Sequence, residues 1–179
     1  MDRGNHYEVA FEAYLQTHGI CYVAVDETRR ALLNSVPLKS LDFLVFGPTG
    51  ARLVVDIKGR RFPAGTAEKP RLVWESWSSR GDIEGLDRWA RLAGEDYRGV
   101  LVFAYLLGPN VQMSPDTPDL FPFRNQNYLF RAVDVMEYRD HMRTRSPRWD
   151  TVCLSSLDFR SVVRPFQDLV CVTPSQEFV

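Results

Sequence analysis

The chain has 179 residues, of which 45% are hydrophobic and 25% charged, and its formal net charge is −1. That length suits one compact domain with a sizeable core, and the composition excludes global disorder. The near-zero charge excludes a domain that attracts nucleic acid by overall basicity, so any phosphate binding must come from local clusters. No apolar run approaches the roughly 18 residues that cross a bilayer. The start, MDRGNHYEVAFEAY, has no signal-peptide apolar core, so a cytoplasmic protein is expected.

In chain order, residues 3–18 read as a helix, with Tyr7, Phe11, Tyr14, Leu15 and His18 along one face and Gly19 as the stop. Ile20–Val25 alternates as a strand does, and Thr28–Leu33 reads as a short helix ended by Pro37. Leu41–Phe46 and Arg52–Lys58 are β-rich runs joined by Gly47-Pro48-Thr49-Gly50, which predicts a hairpin. Residues 62–71 are broken by Pro63, Gly65 and Pro70 and read as a loop. Leu72–Trp77 reads as a short strand and Ile83–Leu92 as a helix. Gly99–Leu107, an unbroken apolar run, reads as a buried central strand. Proline-rich 108–123 reads as an extended surface loop. A strand over Tyr128–Val133, a helix over Val135–Arg143 and a strand over Asp150–Leu154 follow, and the tail from Ser155 carries weak signals. The order predicts a mixed α/β layer architecture.

Cys21, Cys153 and Cys171 are odd in number, far apart and in no CxxC pair, which argues against a disulfide framework or a zinc site. Cys21 and Cys153 lie in apolar, strand-like runs and are expected in the core. His6, His18 and His141 form no metal spacing. Trp74, Trp77 and Trp89 could stack bases, but core packing is the commoner use of such tryptophans.

The chemistry concentrates on the hairpin. Side chains alternate along Leu53-Val54-Val55-Asp56-Ile57-Lys58, so Val54, Asp56 and Lys58 share one face and Leu53, Val55 and Ile57 the other. Asp42 opens the preceding strand, and a turn near residues 47–50 brings it beside Asp56 and Lys58. Adjacent carboxylates repel unless a cation or proton lies between them, and hard ions such as Mg²⁺ favour carboxylate oxygen and water. A plain surface ion pair of Asp56 with Lys58, with Asp42 as a turn acid, accounts equally well for the triplet taken alone. Only three of the 22 basic residues are lysine (Lys39, Lys58 and Lys69), which hints that Lys58 is kept for its compact ammonium. Of the basic clusters, only Lys58-Gly59-Arg60-Arg61 adjoins this group.

Asp42, a Gly/Pro turn and Asp56-Ile57-Lys58 together resemble the PD-(D/E)XK nuclease superfamily, with Leu41 where that name has proline. Ser40-Leu41-Asp42 resembles the S-x-D around the first acid of Holliday-junction resolvases. Glu8, Leu15 and Gly19 match the helix spacing of the archaeal resolvases, with Glu12, one turn on, as the competing acid. His6–Glu12 also resembles the signature of the uncharacterised HYExAFE family.

The resemblance implies a restriction-endonuclease-like α/β core, a central mixed β-sheet flanked by helices, over about residues 3–107, with 108–179 as a C-terminal extension. It implies a Mg²⁺- or Mn²⁺-dependent phosphodiesterase acting on nucleic acid, DNA before RNA, without a membrane partner. Asp42 and Asp56 would hold the metal with the main-chain carbonyl of Ile57, and Glu8 would complete the shell or orient water. Lys58 would orient that water or stabilise the phosphorane charge, with Ser40, Lys39 and Glu12 as auxiliary candidates. Arg60 and Arg61 would contact the nucleic acid. Many nucleases of this type are dimers, so a homodimer is compatible with the resemblance. A catalytically silent nucleic-acid- or protein-binding module on the same fold is the alternative.

Overall fold

The structure, a computed structural model, describes residues 5–25, 32–33, 36–37, 41–66 and 68–171. Helix α1 (His6–Thr17) starts at Asn5, whose side chain accepts the Tyr7 N–H at 3.1 Å. It ends where Gly19 takes a φ of 63° and the Ile20 N–H reaches back to Leu15 O at 3.0 Å. Strand β1 (Cys21–Ala24) follows, then the two-residue strands β2 (Leu32–Leu33) and β3 (Val36–Pro37), which pair with each other. The short helix expected over Thr28–Leu33 lies mostly outside the described residues, and its last two residues are in β2 rather than helical.

The expected hairpin is present as β4 (Phe43–Phe46) and β5 (Arg52–Phe62), with Phe43 opposite Val55 and Phe46 opposite Arg52. The loop over 62–71 contains a small bridge between β6 (Ala64–Gly65) and β7 (Pro70–Arg71). Leu72–Trp77 is not a strand. Leu72 and Val73 are exposed, and the carbonyls of Glu75 and Ser76 accept hydroxyl protons from Tyr105 and Tyr138 at 2.9 and 2.7 Å. Side-chain donors thus meet needs that a ladder would otherwise meet. Only β8 (Ser78–Ser79) pairs, at the start of helix α2 (Arg80–Ala93).

Strand β9 (Tyr97–Leu107) returns parallel to β5 over its whole length, with α2 as the connection. The stretch read as a surface loop ends instead in β10 (Leu120–Phe123). It forms a hairpin with β11 (Gln126–Asp134) through Arg124 and Asn125, both at positive φ. Helix α3 (Val135–His141), β12 (Arg143–Ser146), a 3₁₀ turn at Pro147–Trp149 and β13 (Thr151–Cys153) come next. The weakly patterned tail is ordered as α4 (Ser156–Val162), β14 (Arg164–Pro165) and α5 (Phe166–Val170). Ser155 caps α4 by accepting the Asp158 N–H at 3.1 Å.

The central sheet runs β1-β4-β5-β9-β11-β10, with β14 also on β11, and a three-stranded sheet runs β12-β13-β8. In the central sheet β5–β9 is parallel and the other pairs antiparallel. One face packs Phe11, Tyr14 and Leu15 of α1 and Phe166 of α5 on Phe43, Leu53, Val55, Val102 and Phe130. The other packs Ile83 and Leu86 of α2, Tyr138 and Phe159 on Val54, Leu101, Phe103 and Val133. The alternation expected along β5 is therefore the one observed. Cys21 is exposed, not core, because β1 is an edge strand whose outward residues nothing in the described chain covers, and Cys153, on β13 of the three-stranded sheet, is half-buried. No helix among the described residues is long and apolar enough to cross a membrane.

Candidate active site

Strand β5 outruns β4, and the site lies where the shorter strand begins. Asp42, just before β4, donates its N–H to Val55 O at 2.9 Å and takes the Ile57 N–H on its Oδ2 at 2.6 Å. Past the end of the ladder, a β5 amide is thus satisfied by a side chain instead of a neighbouring strand. Asp42 is only 4% exposed and Asp56 9%. The hairpin register sets these two acids beside each other at the same end of the strand pair.

Lys58 lies on the same β5 face as Asp56. Its Nζ is 2.6 Å from Asp56 Oδ2 and 3.1 Å from Asp82 Oδ2. Asp82 belongs to the first turn of α2, where it closes a capping box with Ser79: each residue's side chain accepts the other's N–H at 3.1 Å. Burial disfavours the Lys58 ammonium, but Asp56 and Asp82 outweigh that cost and hold its pKa above the ordinary lysine value. At neutral pH Lys58 is a proton donor and a positive charge, not a base.

Asp82 was not among the residues singled out from the sequence. Ser79-Arg80-Gly81-Asp82 is a readable helix-start signal, but nothing local says that its acid faces a lysine 24 positions earlier.

Glu8 comes from the other side of the sheet. The α1 first turn lies on Gly59 so closely that a Cβ there would stand 2.1 Å from the Tyr7 ring. Glu8 accepts a hydrogen bond from Asn5 Nδ2. Among the described residues no three His, Cys, Asp or Glu side chains gather as a ready metal cage, so Glu8 is not assembled with Asp42 and Asp56 into one. Glu12 accepts the Tyr22 hydroxyl proton at 3.0 Å, tying α1 to β1. Lys39 and Ser40 lie outside the described residues.

Arg60 is not on the surface. It is 8% exposed, donates to Gly59 O at 2.6 Å and to Trp77 O, and its guanidinium carbon lies 3.7 Å from the centre of the Trp77 ring. Burial pulls its pKa down from the ordinary arginine value. Arg145 approaches the same indole at 4.9 Å. Arg61, in contrast, is exposed. Trp74 stacks on Phe62 at 3.6 Å, a packing role.

Two buried carboxylates at one end of the β4–β5 hairpin, with the Ile57 carbonyl between Asp56 and Lys58, are a donor set suited to a hard divalent ion. Such an ion commonly takes one or two carboxylates and keeps several waters. The set fits such an ion in that open manner, with a protonated lysine alongside.

No protein-family model matches the chain, and no curated protein matches it. Among solved structures it is similar to Hjc, a Holliday junction resolvase of Archaeoglobus fulgidus. The likeness has a TM-score of 0.51 at 13% identity and covers 92% of this chain and 98% of that one. The shared architecture takes in more of the chain than residues 3–107. It is a likeness of fold: this chain has a restriction-endonuclease-like fold, a central mixed sheet flanked by helices.

Proposed function

We propose that this chain is a divalent-metal-dependent endonuclease that cleaves phosphodiester bonds in nucleic acid, DNA in preference to RNA. The observation that carries the reading is the convergence of Asp42, Asp56 and Lys58 at one end of the β4–β5 hairpin, on a resolvase-like fold. Asp42 and Asp56 would hold Mg²⁺ or Mn²⁺, with the Ile57 carbonyl as a further ligand. A bound ion of this kind lowers the pKa of its water and polarises the scissile phosphate. Lys58, held protonated, donates to the charge that develops on the phosphorane oxygens. Glu8 keeps only its helix spacing in favour of a role and is assigned no step, because α1 packs on the face of the sheet opposite Asp56 and Lys58. Arg61 meets the nucleic-acid backbone, while Arg60 supports the strand from beneath by its stack on Trp77. Kinship with the HYExAFE family rests on His6–Glu12 alone and adds no activity.

The test is cleavage of single-stranded, duplex and four-way-junction DNA, and of RNA, with Mg²⁺, with Mn²⁺ and with chelator. Wild type should cleave only with metal, and Asp56→Ala should lose that cleavage. Undiminished cleavage by the variant overturns the site. A non-catalytic binding module, which the near-neutral net charge of −1 also accommodates, predicts binding without turnover in every arm.

A further inference from the structure

Two carboxylates share one ammonium at this site, and they are not equivalent. Asp56 lies beside Asp42 and belongs to the proposed metal set. Asp82 belongs to the start of α2 and is held there: its Oδ2 accepts from Ser78 Oγ at 3.0 Å and from the Ser79 N–H at 3.1 Å. Ser79 Oγ accepts the Asp82 N–H in return at 3.1 Å. The N-terminal turn of a helix also favours a negative charge at that place. The Lys58 side chain is 16% exposed and cannot turn fully to water without leaving its packing. Once Asp56 serves a divalent cation, that cation repels the ammonium and takes over its partner. An ammonium that stays at the site then needs a second counter-charge, and Asp82 is 3.1 Å away.

We propose that Asp82 is a positioning residue that holds the Lys58 ammonium at the site and so leaves Asp56 available to the metal. The inference rests on the metal-site reading above and adds to it a carboxylate that does not itself bind the ion. Without Asp82, the ammonium falls back on Asp56 and competes with the ion for it.

The experiment measures Mn²⁺ affinity by electron paramagnetic resonance, without nucleic acid, for wild type, Asp82→Asn, Lys58→Met and the double variant. Asp82→Asn should weaken Mn²⁺ binding about tenfold, the scale of losses when a group supporting a metal ligand is removed. In the Lys58→Met background the same substitution should change affinity by less than about twofold, because the competitor is gone. An equal loss in both backgrounds means that Asp82 acts on the ion by its own charge, and overturns the proposal. Ser79→Ala weakens the same helix cap without touching Lys58, and should leave Mn²⁺ affinity unchanged. A loss matching that of Asp82→Asn reduces Asp82 to a cap and also overturns the proposal. Thermal melting checks that each variant folds, and Asp82→Glu, which keeps the charge, should recover most of the affinity. If Asp56→Ala binds Mn²⁺ as wild type does, the metal-site reading fails and takes this inference with it. If binding depends on Asp56 but the Lys58 cycle shows no coupling, the inference alone fails.

Discussion

The Asp42 carboxylate accepts the Ile57 N–H at 2.6 Å, so one oxygen of a proposed metal ligand also caps the backbone of the strand that carries the other ligand. The structural and chemical uses of Asp42 can therefore be separated. Asp42→Asn keeps an acceptor for Ile57 and removes the charge. It should fold with a melting temperature close to wild type and lose at least about 100-fold in metal-dependent cleavage, the scale of removing one preorganised electrostatic group. Asp42→Ala leaves a buried N–H unpaired and should in addition lose roughly 1–3 kcal/mol of stability. Full cleavage by the Asn variant would remove Asp42 from the site.

One Lys58 ammonium is shared by two buried carboxylates. Lys58→Met should cost roughly 3–5 kcal/mol, as when one partner of a buried ion pair is removed. The variant leaves Asp56 without the ammonium that competes for it, which makes it more responsive to a cation. Millimolar Mn²⁺ should therefore raise its melting temperature more than that of wild type. In wild type the raised lysine pKa means that the contribution is complete below the ordinary value of 10.5 and fades only as pH rises through the folded value. Equal Mn²⁺ shifts in the two proteins would show that the Lys58 ammonium does not compete for Asp56.

Gly59 is where α1 rests on β5. A Cβ there would overlap the Tyr7 ring at Cγ, Cδ2 and Cε2, so the ring or the helix would have to shift. Gly59→Ala should destabilise by about 1–3 kcal/mol, the usual cost of overpacking, and Tyr7→Ala in the same chain should recover part of it. Chemical denaturation of the two variants checks this. An unchanged midpoint for Gly59→Ala would place α1 elsewhere.

Asp119 offers a test of pH dependence away from the site. It accepts the Tyr14 hydroxyl proton at 2.6 Å and the Gln167 N–H at 3.2 Å, yet burial raises its pKa above the ordinary 3.8. In the window from 3.8 up to the folded value, the native state holds the proton more tightly than the unfolded chain. Stability therefore falls as pH rises through that window. Asp119→Asn keeps an acceptor and tolerates the local φ of 58°, and it carries no such charge. The stability difference between variant and wild type should shift in the variant's favour from pH 4 to pH 7, measured by urea unfolding. A constant difference would assign Asp119 an unshifted carboxylate.

The hairpin and what it carries were legible because their signals are local. A Gly/Pro turn sets which residues of β4 and β5 face each other, and the two-residue period of a strand sorts Asp56 and Lys58 from Val55 and Ile57. The central strand β9 was legible for a related reason: a strand covered on both faces reads as a continuous apolar run. Leu72–Trp77 carries β-rich residues but no ladder partner, since tyrosine hydroxyls from β9 and α3 take its carbonyls. The α4 cap at Ser155-Ser156-Leu157-Asp158 was present in the sequence, but seven-residue and five-residue helices have too few turns to show a periodic face.

The sequence by itself determined the mixed α/β class, the β4–β5 hairpin and the proximity of Asp42, Asp56 and Lys58, because each depends on residues close along the chain. Only the tertiary structure decided that Asp82 faces Lys58, that Arg60 is buried against Trp77, and that Glu8 arrives from the opposite face of the sheet. Those relationships depend on how α2, the β8 segment and α1 dock on β5. Docking is set by packed surfaces distant in sequence, and no local pattern encodes which charge will meet which.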